Sequence, residues 1–225
     1  MDFEKIKDIL FQRGIAQTGF ARVAGLVPEP YADYSYAVSL VYKLSSGLLD
    51  EVQEGPTFSY FHHYRTVNAF LDSQTLWLCT MIEREGFRAV PVAASQSRPG
   101  ADGAYDSLFQ HKTAAVLAGL GWIGKSALFV SPEFGPRVRL GTVLTDMPLP
   151  AEKPRMPVGC GECNICVQAC PAMAIKGKNY FDGCSRADLF DAQACSQHMK
   201  RAYQHIGRGA VCGICVSRCP FDKKR

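Results

Sequence analysis

The sequence lacks several features that would place the protein in or beyond a membrane. It has no stretch of about 20 apolar residues, which a membrane-spanning helix would require. Its N-terminus has neither the apolar core of a secretory signal nor a twin-arginine pair, and residues 3–11 form a charged amphipathic segment instead. We therefore expect a cytoplasmic protein with no membrane partner.

Cysteine is almost absent from the first 159 residues, where only Cys79 occurs, whereas nine cysteines follow. The thiol pool of the cytoplasm keeps disulfides reduced, so this density indicates metal ligation rather than a disulfide framework. Hydrophobic residues make up 47% of the sequence and charged residues 20%, which is typical of a globular protein with a real core. Cys79 falls within a predicted helix, where we expect a small buried residue.

Four prolines between Met147 and Pro157 predict a domain boundary, because proline lacks a backbone donor and interrupts helices. We predict an α/β domain over residues 1–150 and a ferredoxin-like domain over 151–225, so the fold class is α+β. In the first domain, periodicity predicts helices at 3–13, 58–85 and 107–117 and strands at 18–23, 37–42, 87–92, 128–131 and 137–144. The last two strands should pair around the turn 132–136.

The cysteines after residue 159 follow the spacing of bacterial ferredoxins. The pattern C-x2-C-x2-C-x3-C, with a proline next, is formed by Cys160, Cys163, Cys166 and Cys170. Its last part is repeated by Cys212, Cys215 and Cys219, again with a proline next. Zinc ribbons also use paired C-x2-C units, but a proline-terminated run that occurs twice favours two [4Fe-4S] clusters.

The fourth cysteine of such a run begins a helix and points toward the other cluster, so the two halves exchange ligands. We assign the first cluster to Cys160, Cys163, Cys166 and Cys219. The second takes Cys170, Cys212, Cys215 and either Cys184 or Cys195. Asp191 is a good N-cap for a helix to about residue 206, whose first turns would hold Cys195 near free backbone N–H groups. We therefore choose Cys195.

The net charge does not point strongly to nucleic acid. The formal charge is +4, but each cluster with four thiolates carries about −2, so two clusters bring the total to roughly zero. Nucleic acid is therefore not an expected partner on the basis of charge.

Residues 118–126 read Ala-Gly-Leu-Gly-Trp-Ile-Gly-Lys-Ser, and the same motif continues through residues 131–135 and 140–146. Together with the cysteine pattern they resemble the epoxyqueuosine reductases, corrinoid-dependent iron-sulfur enzymes of tRNA queuosine synthesis. Segment 191–195 is similar to the family's segment around its isolated ligand cysteine, which supports Cys195. The resemblance covers most of the chain and implies a nitroreductase-like α/β domain that binds base-off cobalamin beside a cluster.

The resemblance also implies a reaction. Low-potential electrons, from a donor such as a ferredoxin or flavodoxin, would pass through the clusters to cobalt, and cobalt would reduce a small-molecule substrate. The sequence has no D-x-H-x-x-G run, so a histidine held in that motif is not expected as a cobalt ligand. One alternative is a ferredoxin-like protein that serves a partner, such as a corrinoid protein. Another is an epoxyqueuosine reductase that acts on tRNA.

The signature supplies the candidate cofactor-binding residues, which are Gly119, Gly121, Trp122, Gly124, Lys125 and Ser126. Glycine lets the backbone approach a flat macrocycle closely because no Cβ intervenes. Trp122 and Lys125 could contact the edge of the macrocycle or its amide and phosphate groups. Without the resemblance, the first two glycines would simply end a helix and turn the chain.

Two departures from the family pattern affect the expected chemistry. Family members carry a proton-donating aspartate about fourteen residues before the first signature glycine, where this chain has Tyr105 and then Asp106. Both are candidate catalytic acids, or else surface loop residues. The chain also ends six residues after Cys219, before the helical-repeat domain of full-length members. We therefore expect a short form, and tRNA is not the substrate that we favour for it.

A polar and aromatic cluster lies near the start of the long predicted helix. It consists of Tyr60, His62, His63, Tyr64 and Arg65. These residues are candidates for a substrate pocket, since relatives have a comparable element, or are helix-surface and core-facing residues whose histidines are satisfied locally.

Overall fold

The computed structural model describes residues 2–95, 98–99, 105–151, 153–207 and 211–221. The helices are α1 (Phe3–Gln12), α2 (Ser46–Asp50), α3 (Phe58–Arg84), α4 (His111–Leu117), α5 (Ile165–Ala169), α6 (Arg186–Leu189), α7 (Ala192–Tyr203) and α8 (Ile214–Ser217). The strands are β1 (Gln17–Arg22), β2 (Tyr36–Lys43), β3 (Ala89–Val92), β4 (Arg98–Pro99), β5 (Tyr105–Asp106), β6 (Trp122–Ile123), β7 (Phe129–Val130) and β8 (Val138–Thr145). The expected mixture of helix and sheet is confirmed.

The chain divides into two compact units, each built from several segments. The sheet unit comprises Met1–Lys43, Val67–Gly121 and Val138–Met156. The cysteine unit comprises Leu44–Thr66, Trp122–Arg137 and Pro157–Arg225. Segments 44–66 and 122–137 thus fold with the cysteine-rich segment, although they precede the boundary expected from the prolines. The single division at residue 150 stays a prediction.

The sheet unit is built around a four-stranded antiparallel sheet in the order β1-β2-β8-β3. Successive residues of a strand point to opposite faces of the sheet, and a different helix covers each face. On one face, Ala21 and Leu144 share a buried cluster with Ala114 of α4. On the other face, a Cβ at Gly141 would lie 3.1 Å from Thr75 of α3, so glycine lets this helix approach the sheet closely. The layers are therefore helix, sheet and helix.

Local signals set the ends of the long elements. Asp2 caps α1 by accepting from the backbone N–H groups of Glu4 and Lys5. At the start of α3, the Thr57 hydroxyl accepts from the Tyr60 backbone N–H at 3.1 Å. Gly86 follows α3 with a φ of +86°, a conformation that glycine adopts without strain. The expected helices 3–13 and 58–85 are confirmed to within a residue.

Two expectations for residues 1–150 were inaccurate. The helix expected to start at residue 107 starts at His111, because the chain just before it is extended, with Gln110 at φ −86° and ψ 112°. The hairpin expected between 128–131 and 137–144 is wrong. Instead β7 pairs with β6, and β8 pairs with β2 and β3. The intervening loop closes on itself through two backbone hydrogen bonds between Ser131 and Gly135.

The cysteine unit contains the β6-β7 hairpin and short helices. The helix expected over 191–206 is α7, which ends at Tyr203. In the described part of residues 157–221, only four apolar side chains are buried, namely Ala174, Ile175, Leu189 and Ile214. No helix in the described residues of either unit is both long and apolar enough to cross a membrane.

Candidate metal centre

The first group of thiols consists of Cys160, Cys163, Cys166 and Cys219. Burial raises the pKa of Cys219 to about 11, and the thiols of Cys160, Cys166 and Cys163 add to that rise. Burial and then Cys160 and Cys163 likewise raise the pKa of Cys166. These mutual effects mean that the last cysteine of the sequence lies beside the first three of the run.

Local structure explains how the run is shaped. The backbone N–H of Cys163 donates to the carbonyl of Cys160 at 3.0 Å, which closes a turn. Cys166 lies in α5, and Cys170 is the C-cap of that helix in an extended conformation. The helix expected to begin at Cys170 is therefore wrong, because α5 ends there and turn residues follow.

The second group consists of Cys170, Cys195, Cys212 and Cys215. Burial raises the pKa of Cys195 to about 11, with added effects from the thiols of Cys212 and Cys170 and from Asp191. Burial also raises the pKa of Cys215, and the thiols of Cys212, Cys195, Cys170 and Cys166 act in the same direction. Because the Cys166 thiol affects the pKa of Cys215, the two groups lie within electrostatic range of one another.

Cys195 reaches this group because of its helix. The Asp191 side chain accepts from the Ala194 backbone N–H at 2.9 Å, which fixes the start of α7 and puts Cys195 in its first turn. Cys184 lies in a turn before α6 and is not among the neighbours that perturb the described thiols of either group. Cys79 is a buried core residue of α3, as expected.

All ten cysteines are free thiols. Within the described ranges, no three His, Cys, Asp or Glu side chains lie close enough to share a single metal ion. A [4Fe-4S] cubane makes a different demand, because each of its four thiolates binds a separate iron atom. Eight half-buried or buried thiols in two groups of four match the ligand number of two such clusters.

The β6-β7 hairpin lies against the first group. A Cβ at Gly159 would lie 2.7 Å from the Trp122 ring, so the residue before Cys160 packs directly on the indole. The same ring makes an edge contact with Phe221, two residues after Cys219. Trp122 is buried, and its indole N–H has no hydrogen-bond partner among the described residues. A buried donor without a partner fits a site that takes an anionic group.

The turn of this hairpin contains two more of the predicted cofactor residues. A Cβ at Gly124 would lie 2.8 Å from Val130 and 3.4 Å from the Cys160 sulfur, so only glycine fits without a shift. Lys125 is 4% exposed, and its ammonium donates to the Asn164 side-chain oxygen at 3.0 Å. Asn164 lies between Cys163 and Cys166. The hairpin thus supplies one wall of the first group.

The other predicted cofactor residues are also enclosed by protein. Gly119 follows α4 with a φ of +69°, and a Cβ there would lie 3.1 Å from the Lys153 side chain. Gly121 and Ser126 are buried.

The candidate catalytic acids Tyr105 and Asp106 form β5, which pairs with β4. The structure describes only the backbone of this strand, so their side chains lie outside the described part. In the polar-aromatic cluster, Tyr60 is buried against Gly213, next to Cys212. His63 accepts from the Ser45 backbone N–H at 3.1 Å, and burial lowers its pKa. These two residues therefore support the cysteine unit from inside.

Two supporting residues had no signal in the sequence. Arg137 is fully buried and donates to the Asp50 carboxylate at 2.9 Å and to the Ser217 carbonyl at 3.0 Å, two residues before Cys219. Tyr203 donates to the Glu54 carbonyl, and its hydroxyl also lowers the pKa of Cys212 against the larger opposing effect of burial. These contacts join segments far apart in the chain, which local spacing does not reveal.

A cleft of about 460 Å³ opens within the cysteine unit, beside the first group. Ile165, which precedes Cys166, and Arg218, which precedes Cys219, both line it. Leu49, Val52 and Gln53 form part of the remaining wall. The cleft therefore gives access to the neighbourhood of two of the four thiols.

Comparison with known proteins matches residues 159–222 to a family described as a 4Fe-4S double cluster binding domain. A tetrachloroethene reductive dehalogenase of Sulfurospirillum multivorans is 33% identical over 66% of this chain and 28% of its own. An epoxyqueuosine reductase of Gloeobacter violaceus is 36% identical over 50% of this chain and 36% of its own. The chain thus spans about a third of the length of these relatives.

Solved structures show the same fold at lower identity. A catabolic reductive dehalogenase matches 94% of this chain and 30% of its own with a TM-score of 0.75 and 18% identity. An epoxyqueuosine reductase in complex with an epoxyqueuosine-modified tRNA stem loop matches 98% of this chain and 65% of its own, with a TM-score of 0.59 and 15% identity. Both likenesses extend over nearly the whole chain.

Proposed function

Since the chain belongs to the epoxyqueuosine reductase-like family, we propose that it is an iron-sulfur reductase whose cysteine unit holds two [4Fe-4S] clusters. The first would bind Cys160, Cys163, Cys166 and Cys219, and the second Cys170, Cys195, Cys212 and Cys215. The observation that carries the proposal is the grouping of the thiols, in which neighbouring thiols add to the effect of burial and raise the pKa of Cys166 and Cys219 in the first group and of Cys195 and Cys215 in the second. Thiols that resist deprotonation singly become stable thiolates when a cationic metal centre neutralises them.

The interlocked groups suit electron transfer between the clusters. Cys166 of the first group influences Cys215 of the second, so the two clusters would lie close together. Each cluster exchanges one electron at a time at a low potential. We place the approach of an electron donor, such as a ferredoxin or flavodoxin, at the cleft lined by Ile165 and Arg218.

We further propose that the electrons reach a cobalamin-type cofactor, in view of the likeness to a reductive dehalogenase. Bound cobalamin would supply a cobalt centre that reduces a small substrate. Tyr105 and Asp106 remain the candidate proton donors. The signature residues Gly119, Trp122, Gly124 and Lys125 already have protein neighbours, so we assign no corrinoid contact to them.

That enclosure favours a second candidate function. A protein whose signature hairpin lines a cluster, rather than a cofactor pocket, could pass its electrons to a partner that carries the corrinoid. A third candidate comes from the epoxyqueuosine reductase solved with a tRNA stem loop, which keeps nucleic acid open as a substrate. Salt-dependent binding of tRNA would support the third function.

The test is anaerobic purification followed by iron, sulfide and cobalamin analysis. We expect about eight irons per chain and two interacting reduced clusters by EPR. A colourless zinc protein would contradict the cluster proposal. The cofactor proposal is tested separately by adding cobalamin and passing the protein through a gel-filtration column. Retained corrinoid absorbance supports the reductase, whereas loss of all corrinoid with both clusters intact supports the electron-transfer protein.

A further inference from the structure

Lys125 has a buried ammonium group without an ion-pair partner among the residues that the structure describes. Its side chain is 4% exposed, yet no carboxylate of the described residues forms an ion pair with it. The Asn164 oxygen takes one of its three N–H donors. Removing an ammonium group from water costs several kcal/mol unless an opposite charge lies nearby.

The neighbours of Lys125 belong to the first cysteine group. Asn164 stands between Cys163 and Cys166, and Gly124 lies against the Cys160 sulfur. Trp122 of the same hairpin packs on Gly159 and Phe221, which flank Cys160 and Cys219. A [4Fe-4S] cluster with four thiolates would place a charge of about −2 in this group, which is the missing anion.

We propose that Lys125 is a positioning and charge-supplying residue of the first cluster, through its bond to Asn164 beside Cys163 and Cys166. Its fixed positive charge stabilises the extra electron of the reduced cluster more than it stabilises the oxidised form, because the reduced cluster is more negative. Lys125 therefore raises the reduction potential of the first cluster. This inference rests on the proposed function, since it needs the clusters.

The test compares the holoprotein with Lys125→Met and Lys125→Arg variants in an EPR-monitored redox titration. A Cys219→Ser protein, which gives the first cluster an oxygen ligand, assigns the signals of the two clusters. In Lys125→Met we expect reduction of the first cluster to be about ten-fold less favourable, or about 59 mV lower for one electron. The second cluster should change less, and Lys125→Arg should restore the potential because it keeps the charge.

The matched control is Lys176→Met, which removes the same charge from an exposed position six residues after Cys170 in the sequence. Water and salt screen an exposed charge, so this variant should shift neither potential by more than about two-fold in the equilibrium constant. If Lys125→Met binds less iron while Lys125→Arg keeps the full amount, the result also supports the inference, because the charge is then needed for assembly.

Three results would overturn the inference. They are wild-type potentials in Lys125→Met, a larger shift of the second cluster than of the first, and equal loss of iron in both Lys125 variants. Wild-type protein without iron would instead refute the proposed function. The two failures are therefore distinguishable from the iron content of the wild-type protein.

Discussion

In the sheet unit, apolar side chains of four strands are buried on both faces, whereas the described part of residues 157–221 buries four apolar side chains. Burial of apolar area is the main force that offsets the loss of backbone freedom on folding. The sheet unit buries many apolar side chains, and residues 157–221 bury few in the described part. From this difference we infer that the fold of this segment depends on metal ligation, as it does in many small metal-binding domains.

Iron removal tests this difference most directly. After chelation of iron under anaerobic conditions, backbone amides of residues 157–221 should lose their protection from hydrogen exchange by orders of magnitude. Amides of β2 and β8 should keep most of theirs, because their partners lie within the sheet. Mass-spectrometric hydrogen exchange measures both segments in one sample. Equal loss in both units would remove the distinction drawn here.

Single cysteine replacements sharpen the comparison within the cysteine unit. Cys219→Ala should lower the iron content from about eight to about four or fewer, because it removes one ligand of the first cluster. Cys184→Ala is the matched control and should keep about eight. Iron and sulfide assays on anaerobic protein give the answer. Retention of both clusters in Cys219→Ala would show that the ligand assignment is wrong.

Two buried or half-buried arginines offer a matched pair, one in each unit. Arg137 donates to the Asp50 carboxylate and to the carbonyl of Ser217, the last residue of α8. Arg139 in β8 donates to the Asn68 side-chain oxygen and to the Ala94 carbonyl. Arg137→Met should destabilise the cysteine unit by about 2 to 3 kcal/mol and speed iron release, since bonds to a charged group are lost. Arg139→Met should destabilise the sheet unit by about 1 kcal/mol without affecting iron.

The readouts for this pair are the rate of iron transfer to a chelator and the thermal unfolding of each variant. Faster iron loss in Arg139→Met than in Arg137→Met would contradict the separation of the two units.

A last expected effect is a pH dependence of the sheet unit. The His111 ring contacts the Thr142 hydroxyl at 2.8 Å and the Ala93 carbonyl at 3.0 Å, and burial lowers its pKa from 6.5 to about 4. The unfolded chain therefore binds a proton at a pH where the folded chain does not. Stability from this site is complete above pH 6.5 and is lost as the pH falls toward 4.

We expect the sheet unit to lose about 2 kcal/mol from this site between pH 7 and pH 5, and His111→Gln to abolish that loss. Urea unfolding followed by Trp77 fluorescence measures it, with Trp122→Phe as the common background because the protein has two tryptophans. An equal pH dependence in both proteins would show that His111 is not the group responsible.

Much of this molecule was predictable from local patterns. Helices α1 and α3 follow from apolar spacing with Asp2, Thr57 and Gly86 at their ends, all of which act within a few residues of the chain. The cysteine run predicts a cluster site for the same reason, because three ligands of one cluster lie within seven residues. Pairing of β7 with β6 was missed because the turn at 132–136 carries the same hairpin signal as the one that forms.

The sequence alone determined the number of thiols, their spacing and the chemistry that four thiolates offer to iron, since these depend on residue type and short separations. Only the tertiary structure decided that Lys125 and Trp122 border the first group, and that Arg137 reaches Ser217 across 80 residues. Those contacts join segments far apart along the chain. Their partners are chosen by the packing of the whole unit, which no local pattern records.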